Sequence, residues 1–174
     1  MIQLKAIIFC VCIFWISGCN PNISPIVFQV DKIELAPYPN RKDSFINLTI
    51  SSKEDFLKIY NKEKGVNIYM FCPLVSGNFD NMGEEEYQLH GYFLPDNRDT
   101  SLLMNNRYIY KLPISIENKK AQVLSDTKKI ISLLPQKECI DCKIVMAFFP
   151  NKLVKNYFSE TFCISKDSLI KCIR

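Results

Sequence analysis

The cysteines offer the widest range of chemistry in this chain, and two of them form the CxxC motif Cys139-Ile140-Asp141-Cys142. Such a pair acts in thiol redox chemistry when a helix amino terminus lowers the pKa of its first thiol. The residues that follow, 143–149, predict a buried strand instead of a helix. The motif therefore favours a structural role, in which its cysteines bond to each other or to Cys72.

A different cysteine chemistry is indicated at the amino terminus. Lys5 precedes an uncharged apolar run over residues 6–16, and Ser17-Gly18-Cys19 follows. This order is typical of a secretory signal peptide, and the apolar run is too short for a comfortable membrane span. A cysteine directly after the small pair resembles the lipobox of bacterial lipoproteins. The resemblance implies that residues 1–18 are a signal peptide and that Cys19 carries lipid; the alternative is an ordinary cleaved signal that releases a soluble protein.

The same resemblance implies a location. In lipoproteins of Gram-negative bacteria, Asn20 after the lipidated cysteine favours sorting to the outer membrane, where the domain faces the periplasm. In a Gram-positive cell the domain would lie outside the plasma membrane. Residues 19–25 are expected to be the lipidated cysteine and a tether that spans at most about 20 Å, and its two prolines exclude a helix. The domain should therefore work close to the membrane that holds its lipid anchor.

Five cysteines remain after the signal peptide and Cys19 are set aside: Cys72, Cys139, Cys142, Cys163 and Cys172. In an oxidising compartment they predict two disulfides and one cysteine left over. The odd cysteine can be any of the five, and the other four pair in three ways, so the spacing leaves the connectivity open. The C-x8-C spacing of the last two is a poor match to a zinc site. No metal or cofactor is predicted.

One disulfide has a geometric argument in its favour. If residues 158–166 and 169–173 form a hairpin closed by Asp167-Ser168, Cys163 lies opposite Cys172 at a Cα separation of about 4.5 Å. That separation is within the range of disulfides. The sequence thus favours a Cys163–Cys172 bond. Asp-Ser is a weaker turn than Asn-Gly, and a longer loop would shift the register.

The elements that position these residues are predicted to be mainly strands. Apolar and polar residues alternate in runs bounded by Pro, Asn, Asp and Ser, over residues 26–35, 46–50, 66–71, 87–94, 108–112, 143–149 and 156–164. The pattern predicts one antiparallel β-domain over residues 26–174, most simply a β-sandwich, with one or two short helices. Residues 53–64 fit either a helix or part of a hairpin, and residues 126–134 fit one or two helical turns ended by Pro135.

His90, the only histidine, lies in a predicted strand. This placement favours a hydrogen-bonded structural role over a nucleophile pair with Cys72 or a serine. The chain has no nucleophile elbow, phosphate-binding glycine loop or histidine–carboxylate metal spacing around it. No catalytic residue is predicted.

The one concentration of charge is the acidic loop, residues 80–86, which contains Asp80, Glu84, Glu85 and Glu86. The rest of the chain is mildly basic, since loss of Lys5 with the signal peptide lowers the net charge only from +4 to +3. As a binding surface, the acidic loop would steer a cationic protein partner. The alternative is a solvated polar connection.

The mild charge argues against a nucleic-acid partner and a polybasic membrane patch. A small disulfide-containing β-domain on a lipid anchor is similar to the periplasmic immunity lipoproteins of type VI secretion systems. The likeness covers the lipobox, the length, the strands and a late Phe162-Cys163-Ile164 strand. It implies a non-enzymatic protein that binds and blocks a periplasm-delivered toxin. The alternatives are a structural or assembly (pilot-like) lipoprotein of an outer-membrane complex, and a thiol-redox enzyme that uses Cys139 and Cys142.

Overall fold

The computed structural model describes residues 24–37, 44–80, 82–93, 102–148 and 155–173. The predicted signal peptide, Cys19 and most of the predicted tether lie outside these residues. The strands are β1 (Phe28–Pro37), β2 (Ser44–Ser52), β3 (Asn67–Pro73), β4 (Tyr87–Tyr92), β5 (Leu102–Met104), β6 (Arg107–Asn118), β7 (Cys139–Phe148), β8 (Lys155–Phe158) and β9 (Phe162–Ser165). The helices are α1 (Phe56–Lys62), α2 (Thr127–Leu133) and α3 (Lys166–Ile173), with a 3-10 turn at Met82–Glu84.

All strand pairs are antiparallel, and they join in one sheet with the order β1-β2-β6-β4-β3-β7-β8. In addition, β5 pairs with the start of β6 and β9 with the start of β7. The sheet curls until β1 meets β9, where the ring centroids of Phe28 and Phe162 are 6.1 Å apart. The predicted single, mainly antiparallel β-domain is confirmed.

The alternation seen in the sequence fills a single core. In β6, residues 110, 112, 114 and 116 are buried on the inner face, while Lys111 points outward. This is the period-two pattern of a strand with one face on a core. Asn105 and Asn106 have positive φ values of 50° and 59° and form the tight turn before β6, as a two-residue hairpin turn requires.

Residues 53–64, which the sequence left open between a helix and a hairpin, contain helix α1. The Asp55 carboxylate accepts a hydrogen bond from Lys58 N at 3.1 Å, which caps the first turn. Phe56 N donates to the Tyr110 hydroxyl at 2.9 Å, so the helix is fixed to β6. The helix ends before Gly65, where a Cβ atom would lie 2.1 Å from the Tyr60 ring. Only glycine fits there without displacing that ring.

Helix α2 follows Asp126, whose carboxylate accepts hydrogen bonds from Lys128 N and Lys129 N. The helical turns predicted over residues 126–134 are therefore present.

Helix α3 replaces the second strand of the predicted hairpin, because residues 169–173 are helical. Ser165 caps this helix by accepting a hydrogen bond from Ser168 N at 3.3 Å, and Leu169 is fully buried. Among the described residues, no helix has the length and apolar character needed to cross a bilayer.

The two disulfides are Cys72–Cys142 and Cys139–Cys163. Cys72 and Cys142 are neighbours across β3 and β7, one position beyond the Phe71–Lys143 pair, with Cα atoms 4.3 Å apart. Successive side chains of a strand alternate between its faces, so the two cysteines of the CxxC motif project to opposite sides of β7. They cannot bond to each other, and each is bonded to a different strand.

The favoured Cys163–Cys172 bond is therefore wrong. Cys172 lies on α3, is half-buried and is the free cysteine of the described chain. The prediction failed because it needed residues 169–173 to be extended and opposite β9. The two disulfides indicate an oxidising compartment outside the cytoplasm.

We expect removal of the longer-range disulfide to destabilise the domain more. Cys72 and Cys142 are 70 residues apart, and Cys139 and Cys163 are 24 apart. Loop-closure entropy then predicts a loss of about 4 kcal/mol of unfolding free energy for C72A/C142A and about 3 kcal/mol for C139A/C163A. Urea unfolding of the oxidised proteins measures both values. Cys172→Ser is the control and should change stability by no more than about 0.5 kcal/mol; equal stability of C72A/C142A and wild type would contradict the cross-link.

Candidate functional site

The acidic loop lies between β3 and β4 at one end of the sheet. Three of its predicted partner-binding residues, Asp80, Glu84 and Glu86, are exposed. Glu85 is only 4 % exposed, so the expectation that it belongs to an exposed acidic surface is wrong. This difference has no signal in the sequence, because a run of three glutamates does not show which of them faces inward.

The buried Glu85 carboxylate holds the preceding residues in place. One of its oxygens accepts hydrogen bonds from Val75 N at 2.7 Å and from Ser76 N at 3.1 Å. The other oxygen accepts from the Ser76 hydroxyl. Hydrogen bonds to an ionised group are about twice as strong as neutral ones. Glu85 is therefore the residue that sets the shape of this connection.

Aromatic contacts attach the same connection to the outer face of the sheet. The Phe79 ring packs edge-on against Phe71 with centroids 6.1 Å apart, and Lys143 Nζ lies 4.8 Å from the Phe79 centroid. Further along, the Tyr69 hydroxyl lies 3.8 Å from Met82 Sδ. These contacts and Glu85 together hold residues 74–80 and 82–86 in place.

The exposed glutamates adjoin the turn that follows β6. Glu84 forms an ion pair with Lys119, and this hydrogen bond and charge lower the pKa of the Glu84 carboxyl. Lys119 N also donates to the Glu86 carbonyl at 3.0 Å. Residues 74–80, 82–86 and 118–123 thus form one surface, which we call the distal end. A shallow depression of about 260 Å³ lies beside Glu86, and Val75 and Val123 are exposed on this surface.

His90 lies next to a buried carboxylate on the outer face of β4 and β6. Glu117 is 3 % exposed and accepts hydrogen bonds from the Tyr92 hydroxyl at 2.7 Å and from the Ser115 hydroxyl at 2.8 Å. His90 Nδ1 is 4.0 Å from a Glu117 oxygen and has no hydrogen-bond partner in the described part of the chain. The histidine predicted to be hydrogen-bonded is therefore partly buried, and its buried Nδ1 atom makes no hydrogen bond to the described residues.

Burial determines the protonation of this cluster. It lowers the pKa of His90, and the opposing effect of the nearby Glu117 charge is smaller. Burial and the hydrogen bond to Glu117 raise the pKa of Tyr92 to about 12. At neutral pH, His90 is therefore neutral and Tyr92 keeps its proton. The nucleophile pair between Cys72 and His90, which the sequence left open, is not formed, because the Cys72 sulfur is in a disulfide.

A second surface, at the opposite end of β6, was not found by sequence reasoning. Arg107 donates from Nε to the Ser51 hydroxyl at 2.9 Å and from Nη2 to the Ser51 carbonyl at 3.1 Å. Its side chain separates a cavity of about 250 Å³ beside Val27 from a groove of about 510 Å³ beside β5. All three residues of β5 are exposed and apolar. The Leu102-Leu103-Met104 run before the Asn-Asn turn was the available sequence signal.

The chain matches no known protein-family model, and neither the curated proteins nor the solved structures include a significant match to it. Within the described residues, no cluster of three or more His, Cys, Asp or Glu side chains could hold a metal ion. The function must therefore be inferred from the two ends of the domain themselves.

We expect Glu85→Gln to loosen the distal end. The amide would lose the negative charge that the Val75 and Ser76 donors stabilise, so the unfolding free energy should fall by about 1–3 kcal/mol. Urea unfolding measures this loss, and amide exchange at Val75 and Ser76 should accelerate with it. The exposed neighbour gives the control, since Glu86→Gln should change stability by less than about 0.5 kcal/mol. Similar effects of the two variants would contradict the assigned role of Glu85.

We also expect His90 to make the domain less stable in mild acid. The unfolded chain takes up a proton at this residue near pH 6.5, whereas the folded domain takes it up only at lower pH. Stability from this residue is thus complete above about pH 7 and is lost as the pH falls through 6.5 towards the lower folded-state pKa. Urea unfolding at several pH values, compared with His90→Gln, should show a steeper loss in wild type. Parallel pH profiles would contradict the lowered pKa.

Proposed function

We propose that this protein is a lipid-anchored, non-enzymatic envelope protein that binds a protein partner through its distal end. The partner we favour is a toxin delivered into the periplasm, which would make the chain an immunity protein on the outer membrane. The observation that carries the proposal is the position of the distal end, which is charged, held by internal contacts and far from the point where the chain enters the domain.

The anchor is supported by the signal-peptide pattern that ends at Cys19 and by the two disulfides, which fit an envelope location. The described chain begins at Ser24, five residues after Cys19. It enters the sheet at Phe28, the first residue of β1. An anchor at Cys19 would keep this end of the sheet near the membrane.

The strand register separates the two ends. Phe28 pairs with Ser52, and Ser52 pairs with Tyr108 near the start of β6. The distal end adjoins the other terminus of β6, where Glu117 pairs with Gln88. At about 3.3 Å per residue, the 12 residues of β6 span roughly 36 Å. An anchored domain can therefore present its distal end away from the bilayer.

The distal end has the properties of a binding surface. The contacts of Glu85 and Phe79 order residues 74–80 and 82–86 in advance, which lowers the entropy lost when a partner binds. Glu84 and Glu86 would steer a cationic partner towards the surface, and the exposed Val75 and Val123 side chains offer apolar contact. Inhibition would follow from covering the active cleft of the toxin, which in tight complexes buries about 1,600 Å² in total.

Charge reversal tests the assigned surface. We expect E84K/E86K to slow association with the captured partner by about tenfold or more at low salt, since the steering charge is inverted. The matched control is D31K/E54K, which changes the net charge equally with exposed residues at the other end of β6. The measurement is affinity capture of the full chain from its own envelope, followed by association kinetics with the purified partner.

Each result of this experiment has a defined meaning. A secreted toxin as the partner, slowed only by E84K/E86K, supports the proposal. A β-barrel or secretin as the partner would indicate the assembly role instead, and an effect of D31K/E54K alone would exclude the distal end. Mass spectrometry of wild type and Cys19→Ser checks the anchor, because only wild type should carry the mass of attached lipid.

A further inference from the structure

The first described residues are fastened to the body of the domain. The Tyr157 hydroxyl donates to the Ser24 carbonyl at 2.8 Å and accepts from Ile26 N at 2.7 Å. Glu160 N donates to the Ile26 carbonyl at 3.0 Å. These hydrogen bonds fix the chain as soon as it enters the described structure. The orientation of the domain relative to residue 24 is therefore set by contacts and not by a flexible linker.

The exposed strand β5 lies in the same part of the sheet. A continuous row of paired residues crosses four strands, from Phe28 in β1 through Ser52 and Tyr108 to Leu103 in β5. Neighbouring strands are about 4.7–4.9 Å apart, so Leu103 lies about 14 Å along the sheet from the strand that receives the tether. We call this part of the molecule, residues 26–28, 52–54 and 102–108, the tether end.

The tether end exposes several large apolar side chains. Val27 is 66 % exposed, Leu102 and Leu103 are each 57 % exposed, and Met104 is 51 % exposed. Burying such side chains is favourable by roughly 25 cal/mol per Å² of apolar surface. A patch of this kind, beside the point where a lipid tether would start, indicates a surface that is covered in the working protein.

The charges around this patch are nearly balanced. The cations Lys32, Lys53, Arg107 and Lys111 surround the groove and the adjoining cavity together with the carboxylates of Asp31, Glu34 and Glu54. Lys32 and Glu34 pair with each other at 2.6 Å. This surface therefore favours neither a strongly cationic nor a strongly anionic partner. Apolar side chains flanked by charges of both signs suit the headgroup region of a bilayer, where charged headgroups lie next to apolar acyl chains.

We propose that the tether end lies on the membrane and that Val27 and the β5 side chains insert into its headgroup region. The inference rests on the proposed lipid anchor at Cys19. Ser24 is the fifth residue after Cys19, so the tether reaches at most about 17 Å. The apolar patch is thus held at high effective concentration beside the bilayer. A protein would have to enter the narrow space between domain and membrane, whereas lipid is already there.

Tryptophan fluorescence in vesicles tests this orientation. The sole tryptophan, Trp15, lies in the predicted signal peptide, so L103W and V123W each give the mature chain a single reporter at an exposed site. The lipidated proteins are expressed as full chains and reconstituted into vesicles of phosphatidylethanolamine and phosphatidylglycerol that contain acyl-brominated lipid. Insertion by about 5–10 Å should quench L103W roughly twofold or more relative to the distal control V123W. Val27→Trp, just before β1 in the tether end, is the second reporter if L103W does not fold.

The outcomes separate this inference from the proposed function. Equal quenching at positions 27, 103 and 123, in protein whose mass confirms lipid on Cys19, would overturn the orientation and leave the anchor intact. A Cys19 without lipid would overturn the anchor and the orientation together. A third outcome is that brominated lipid does not quench the tryptophan at position 103, whereas an added protein partner changes its fluorescence. The tether end would then be a protein-docking surface, and the proposal would be overturned.

Discussion

The alternation of side chains along β7 is the constraint on which the rest of this structure depends. It sends Cys142 to one face, where it bonds to Cys72 in β3, and Cys139 to the other, where it bonds to Cys163 in β9. The same strand also pairs with β8. Because β7 thus joins β3, β8 and β9, the sheet can curl until β9 reaches β1 and the core is enclosed.

The curled sheet has two ends of different character. At the tether end, Tyr157 fastens the incoming chain, and the apolar strand β5 is exposed nearby. At the distal end, the buried Glu85 carboxylate organises a surface of mixed charge. The length of β6 keeps the two ends apart. An anchor at one end and a binding surface at the other would allow attachment and recognition to work without competing for the same residues.

The core is largely apolar, and one cluster of polar side chains around the buried Glu117 lies on the outer face of β4 and β6. Glu117 satisfies its carboxylate with Tyr92 and Ser115, while His90 Nδ1 has no partner among the described residues. An unpaired buried polar atom costs stability. Protonation of His90 would therefore act on this cluster, which lies close to the distal end because Tyr69 packs against His90 and also contacts Met82.

Local signals in the sequence were enough to determine most of the elements. Alternation located the main strands, and residues 126–134 were predicted as helical turns, whereas residues 53–64 were assigned as a helix only by the Asp55 cap and the contact with Tyr110. The attachment of lipid to Cys19 stays a prediction. Helix α3 was missed, because Ser165 and Leu169 fit a strand as well as a helix as long as the burial of Leu169 is not known.

Only the tertiary structure decided what depends on neighbours distant in sequence. A cysteine finds its partner through the strand order, and the order that places β3 beside β7 is a property of the whole sheet. The inward turn of Glu85 likewise depends on Val75 and Ser76 being within reach of its carboxylate. Periodicity tells which side of a strand a residue occupies, but long-range packing selects what lies on that side.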